Sequence, residues 1–451
     1  MSFPRYPAYK DSGVDWLGEV PEHWVPKKIT AISSLKGRLG WQGLKADEYR
    51  DHGPYVVSSA HFDNFQIDWD ACPRVSQERY DIDSNIQLAP NDVLLMKDGA
   101  AMGKLAFVES LPGPACLNSH LLLFRPVNAG GEETYFPRFA FYYMQTGYFQ
   151  EYIKVNGTGA TFLGISQDAI GHYQIAMPPR SEQIAIASFL ERETAKIDAL
   201  VVDYRAMIEL LQEKRQGVIS HAVTKGLDPT VPMKDSGVEW LGEVPEHWVV
   251  LTMQRCVAVA EGQVDPRESP YSDMLLIAPN HVESGTGKIL EFETAAEQGA
   301  DSGKYLCDAG SVVYSKIRPA LRKVCIAPQA CLCSADMYPL QGRRGLSNFF
   351  LLWVILSEQF SSLAVLESDR VAMPKINRES LKAVRIPMPP MCEQDNISSF
   401  LADETAGIDS LVTDAQDAIS LLQERRTALI SAAVTGKINV HTLVQQTEEA
   451  A

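Results

Sequence analysis

No apolar run in the 451-residue sequence approaches the roughly 20 residues that span a bilayer. The opening MSFPRYPAYKDSG lacks the apolar stretch of a signal peptide, so the cytoplasm is the expected compartment and no membrane is expected as a partner. Eight cysteines include no CxxC pair; the nearest two, Cys331 and Cys333, are separated by one residue, which points to buried thiols rather than a metal site. A phosphate-cradling GxxxxGK[ST] is also missing: DGAAMGK at 98–104 is one residue short between its glycines and lacks the hydroxyl after the lysine. No GxGxxG opens a helix, the nine histidines form no HExxH, and no GxSxG or paired-acid nuclease pattern stands out. The two MPP stretches have no preceding Asn, so they do not match the Asn-Pro-Pro-aromatic motif of amino-methyltransferases. These absences remove the common signatures of a catalytic centre, and neither a catalytic residue nor a metal ligand is assigned.

What the sequence does contain is repetition, which fixes architecture before any local reading. KDSGVDWLGEVPEHWV at 10–25 returns as KDSGVEWLGEVPEHWV at 234–249, an offset of 224. A second pair lies at an offset of 211: IAMPPRSEQIAIASFLERETAKIDALV at 175–201 and IPMPPMCEQDNISSFLADETAGIDSLV at 386–412. The match runs on through LLQEKR and LLQERR. The middles between these repeats share little identity. Constant ends with divergent middles are the dominant signal.

The second repeat reads as a long helix. Ile197, Val201, Tyr204, Ile208, Leu211, Arg215, Val218 and Ala222 alternate four and three residues apart, as do Ile408, Val412, Ala415, Ile419, Leu422, Arg426, Leu429 and Ala433. Such alternation is a coiled-coil seam. Each helix starts after Pro-Pro and stops near Gly226 or Gly436. Its length is about 60 Å at about 1.5 Å per residue. The same seam occurring twice favours pairing of the helices with each other over packing of each on its own domain.

The middles read as mixed α/β, with strand-like runs at 54–60, 92–97, 120–126, 274–279 and 311–319 and helical runs at 137–148 and 347–366. The expected fold is two globular α/β domains separated by two long antiparallel coiled-coil helices, with an internal pseudo-two-fold repeat. The segments are a framework repeat over 1–25, a domain over 26–177, a helix over 178–226, a second framework repeat over 227–249, a domain over 250–386, a helix over 387–437 and a flexible tail over 438–451.

The net charge of −16 argues against nucleic acid as a partner until it is partitioned. Residues 26–177 carry 13 basic and 16 acidic side chains, and 250–385 carry 15 of each. The acidity therefore belongs to the framework, which suits protein contacts. Basic residues in the near-neutral domains gather in turns, LKGRLGWQGLK at 35–45 and YSKIRPALRK at 314–323. Arg and Lys beside Gln, Asn and Ser on such loops suit phosphate contacts and base-edge readout, and equally a solvated basic face.

Together these features resemble the specificity subunits of type I restriction–modification enzymes. The resemblance rests on DSGVxWLGEVPEHW heading each half, PPxxEQxxIxxFL…ET…ID opening each helix, and GRLGWQGL, EYRDHGPY, GQVDPRESPYSDMLLIAPNHVESGTGK and YSKIRPALRKV within the domains. It implies that each domain recognises one half of a split target in double-stranded DNA and that the helices set the gap. It also implies a subunit without catalytic activity that holds two adenine-N6 methyltransferase subunits, joined by ATP-dependent translocase–nuclease subunits. No cofactor is then expected on this chain; S-adenosylmethionine, ATP and magnesium belong to partners. The DNA-facing candidates are Lys36, Arg38, Gln42, Lys45, Lys97, Lys104, Asn156, Thr158 and Thr161 in the first domain. In the second they are Gln263, Asn280, His281, Lys316, Arg318, Arg322, Lys323, Asp369, Arg370 and Lys375. Trp16, Trp24, Trp240 and Trp248 of the repeated phrase are either docking anchors for the partner or packing for the helix ends. Two other readings stay open: a stand-alone bipartite DNA-binding regulator, and an enzyme with an unrecognised site.

Overall fold

The protein is described by a computed structural model over residues 3–37, 48–159, 163–368 and 374–440. It divides into two units, Met1–Asp203 with Ala418–Ala451 and Tyr204–Asp417. Mixed α/β domains, long helices and internal repeat are all present. Each unit thus combines one domain with part of each long helix. Among the described residues no single helix is long and apolar enough to cross a membrane.

The long helices are Arg180–Lys225 and Met391–Val434. Each begins directly after its Pro-Pro pair, because proline fixes a helical φ and has no N–H to leave unpaired at the first turn. All sixteen seam positions read from the sequence are buried or half-buried. In the first unit Arg426 Nε donates to Asp198 Oδ1 at 3.0 Å, and in the second Arg215 Nε donates to Asp409 Oδ1 at 2.9 Å. Numbers rise along one helix as they fall along the other, so the helices run antiparallel. The first ends before Gly226 and the second before Gly436, both at φ +76. The left-handed cap requires glycine, and the surroundings require it again: a Cβ on Gly436 would lie 2.4 Å from Pro21 and 3.4 Å from Trp24, and one on Gly226 would lie 3.3 Å from Trp248.

The divergent middles share one core sheet. In the first domain its strands are Ser33–Gly37, Leu121–Pro126, Val93–Met96 and Leu105–Phe107, in that spatial order and antiparallel throughout. In the second they are Val257–Val259, Met337–Gly342, Val312–Ser315 and Val324–Ile326, again in that order and antiparallel. Each domain closes on its framework by pairing its first and last strands, Val25–Lys28 with Gln174–Met177 and Val249–Thr252 with Arg385–Met388. The apolar runs at 137–148 and 347–366 are each two helices rather than one. Pro137–Met144 gives way to Gly147–Val155 at Thr146, and Asn348–Leu356 to Glu358–Leu366 at Ser357. The hydroxyls of Thr146 and Ser357 accept from the N–H of Phe149 and Phe360, starting a new helix where the apolar pattern alone continues.

Candidate nucleic-acid interface and the repeated framework

In each domain the loop after the central strand meets the loop that precedes the long helix. In the first, the N–H of Ile165 donates to the Lys97 carbonyl at 2.9 Å, the N–H of Gly99 to Leu163 at 2.8 Å, and Thr158 and Gly164 exchange backbone bonds. Lys97 and Thr158 therefore sit on joined loops, with exposed Asn156 one turn away. In the second, the N–H of Ile376 donates to the Lys316 carbonyl at 2.9 Å and that of Arg318 to Pro374 at 2.8 Å. This joins Lys316 and Arg318 to Lys375. Arg318 is exposed and held at φ 48, ψ 61, a left-handed conformation uncommon for a side chain of its size and fixed here by the Pro374 carbonyl. The Lys316 ammonium donates to Ala335 O at 2.6 Å beside the Tyr338 ring, leaving Arg318 and Lys375 as the projecting cations of this junction among the described residues.

Other candidates serve the scaffold. Lys104 and Lys323 occupy equivalent places, since the N–H of Met96 donates to Lys104 O and that of Ser315 to Lys323 O. Their ammonium groups tie down equivalent turns: Lys104 donates to Ser59 O and Phe62 O, and Lys323 to Pro279 O. His281 is 2 % exposed and its Nδ1 faces the N–H of Ala278 at 3.3 Å and Leu276 O at 3.1 Å. His61 sits likewise in the first domain, its Nδ1 accepting from the N–H of Ser58 at 3.1 Å, and burial lowers its pKa below 6.5. The expectation that His281 faces DNA is therefore corrected: its ring is enclosed and committed to its own turn. Arg322 turns toward the long helix instead, donating to Gln216 Oε1 at 2.5 Å; burial lowers its pKa, opposed by Glu358 and aided by Arg215. Lys36 lies half-buried on the edge strand of its sheet, while Asn280 and Gln263 are exposed. Arg38, Gln42, Lys45, Thr161, Asp369 and Arg370 lie outside the described residues.

One pair went unread in the sequence. His120 Nδ1 lies 2.6 Å from Asp98 Oδ1, and the His120 carbonyl accepts from the N–H of Lys97, placing both beside the joined loops. Their 22-residue separation leaves no motif.

The repeated framework has its own internal logic. The carboxylate of Glu182 accepts from the Trp24 indole at 3.2 Å, lies 2.8 Å from His23 Nε2 and also accepts from the Tyr6 hydroxyl. Glu393 accepts from Trp248 at 2.8 Å and lies 2.6 Å from His247. The adjoining glutamines hold the domains: Gln183 Oε1 accepts from the N–H of Phe136 and Gln394 Oε1 from that of Ser347, each at the start of a domain helix. The His-Trp of the repeated phrase and the Glu of the repeated helix opening thus bind one another. Trp24 and Trp248 are 0 % exposed, so they pack the helix ends and are not docking anchors. Trp16 stacks on Tyr173 at 4.4 Å and Trp240 meets Phe360 edge-on; both are half-buried.

A family model described as the type I restriction modification DNA specificity domain matches residues 21–201 and 280–419. The specificity subunit of the type I restriction enzyme EcoDI from Escherichia coli is 28% identical over 301 residues, covering 63% of this chain and 67% of that one. The MjaVIII specificity subunit from Methanocaldococcus jannaschii is 24% identical over 367 residues, covering 78% and 80%. A solved chain from work on complex assembly and conformational transition of the type I R-M system shares the fold, with a TM-score of 0.64 at 16% identity, covering 92% of this chain and 98% of that one.

Proposed function

Because the chain belongs to the type I restriction–modification DNA specificity family, we propose that it is a non-catalytic subunit in which each domain reads one half of a bipartite target in duplex DNA. The observation that carries this reading is the pairing of one sheet and one loop junction with different projecting side chains. Lys97, Asn156 and Thr158 present a different surface from Arg318 and Lys375 on equivalent supports. Equivalent supports give two equivalent approaches to DNA, and different side chains give different half-sites. The long helices set the spacer. The duplicated acidic framework docks two copies of an adenine-N6 methyltransferase subunit, whose contacts fall on its exposed side chains because Trp24 and Trp248 are sealed. S-adenosylmethionine, ATP and magnesium belong to those subunits and to the translocase–nuclease subunits that join them.

The test is co-expression with the methyltransferase partner in an unmethylated host, followed by sequencing of modified adenines. One split motif, modified on both strands, is expected. Absence of both modification and a co-purifying complex would favour a stand-alone DNA-binding regulator.

A further inference from the structure

Arg215 and Arg426 hold equivalent places in the two long helices, as do Asp198 and Asp409, and each arginine pairs with the aspartate of the other helix. The pairs do not end there. In the second unit Arg215 Nη1 donates to Gly285 O at 2.6 Å and Nη2 to Thr286 O at 3.4 Å. Lys288, on the same turn of the recognition domain, reaches Asp409 Oδ2 at 2.7 Å. The N–H of Gly285 donates to Arg322 O, and the Arg322 guanidinium reaches Gln216 on the first helix. One turn is thus held by both helices. In the first unit Arg426 Nη1 donates to Gln145 Oε1 at 3.3 Å, and its guanidinium lies 5.3 Å from the centre of the Phe65 ring. The same interhelical pair grips each domain, through different groups.

A charged pair in a coiled-coil seam needs a reason, since apolar residues of similar size would stabilise the seam at least as well. Specifying one geometry is such a reason. The planar guanidinium suits it, because its fixed fork engages the second helix and the domain at once. Arg215 has only 7% of its side chain exposed, so these contacts are not exchanged freely with water.

We infer that Arg215 and Arg426, with Asp409 and Asp198, are positioning residues that fix the angle at which each recognition domain stands on the helices of its own unit. Through that angle they restrict the half-site spacing the protein accepts. The spacing claim rests on the functional reading above; the grip itself does not.

Two measurements test it. Arg215→Ala and Arg215→Lys are co-expressed with the methyltransferase partner and their modified sites sequenced. Both half-sites should keep their bases, while modification at spacers one base pair longer or shorter rises about tenfold, the scale of one lost charge-assisted hydrogen bond. Lysine should not restore the wild-type spacing, because it lacks the fork. Unchanged spacing, or altered bases in the second half-site, overturns the inference. Hydrogen exchange on the chain alone supplies the independent readout: the amides of Glu283 and Gly285 should exchange about tenfold faster in Arg215→Ala. Unchanged exchange overturns the grip whatever the DNA result. Lys288→Met, at a side chain 57% exposed, should show both effects in weaker form without endangering the fold, and neither effect there counts against the inference. A wild-type complex that marks no split motif overturns the functional reading, and with it the spacing claim. Faster exchange in the variant would then still establish the grip.

Discussion

Trp24 and Glu182 lie 158 residues apart in the chain and are joined by an indole-to-carboxylate hydrogen bond of 3.2 Å, both side chains being buried. The repeated tryptophan phrase and the repeated helix opening are therefore two halves of one contact. Glu182→Ala should cost about 3 kcal/mol, because it strands the buried Tyr6 and Trp24 donors. Glu393→Ala should cost about half as much, since its carboxylate is 36% exposed and water replaces part of what is lost. Urea denaturation followed by tryptophan fluorescence checks both.

Gly436→Ala should destabilise more than Gly226→Ala. Both place a Cβ at positive φ, at about 1 kcal/mol, but only at Gly436 does the new atom fall within 2.4 Å of a rigid proline ring. The shift in thermal midpoint of the two variants, measured side by side, decides the order.

Stability should fall on acidification through the imidazole range, in part because of His61. Its Nδ1 accepts a hydrogen bond and partial burial lowers its pKa, so the unfolded chain takes up a proton that the folded turn refuses. The contribution is complete above pH 6.5 and is lost as the pH drops below it. His61→Asn, whose amide oxygen can accept the same bond, should flatten the pH dependence of the thermal midpoint over this range.

Arg318→Ala should weaken recognition by about 1–3 kcal/mol and relax the bases of the second half-site alone. Lys97→Ala should act on the first half-site only. Sequencing of modified adenines in the co-expression system separates them; loss at both half-sites from either substitution would contradict the assignment of one domain to one half-site.

The helices were legible because their information is local and repeated: a seam, a Pro-Pro start and a glycine stop are each read within a few residues. The common sheet was legible only in part: the runs at 92–97, 120–126 and 311–319 hold three of its inner strands, whereas the edge strand Ser33–Gly37 reads SSLKG and carries no apolar run. The breaks at Thr146 and Ser357 turn on single hydroxyls inside apolar runs. At the candidate interface, the basic loops were visible, but the fate of each cation was not. Lys104 and Lys323 look alike to Lys97 in sequence, and only the fold supplies the carbonyls, more than 40 residues away, that claim their ammonium groups. Trp24 and Trp248 were ambiguous for the same reason: an indole reads as anchor or packing until its acceptor is known.

The apolar core of the first unit includes Leu429, Ile430, Ala433 and Val434 alongside Trp24 and Phe139, and the N–H of Asn439 donates to Pro4 O at 2.7 Å. The second unit draws on one uninterrupted stretch, Tyr204–Asp417. During synthesis, then, the later-starting unit has all its residues first, and the earlier one waits with an open flank until the ribosome has passed residue 434. A premature stop in the last helix would damage the domain made first, some four hundred residues upstream.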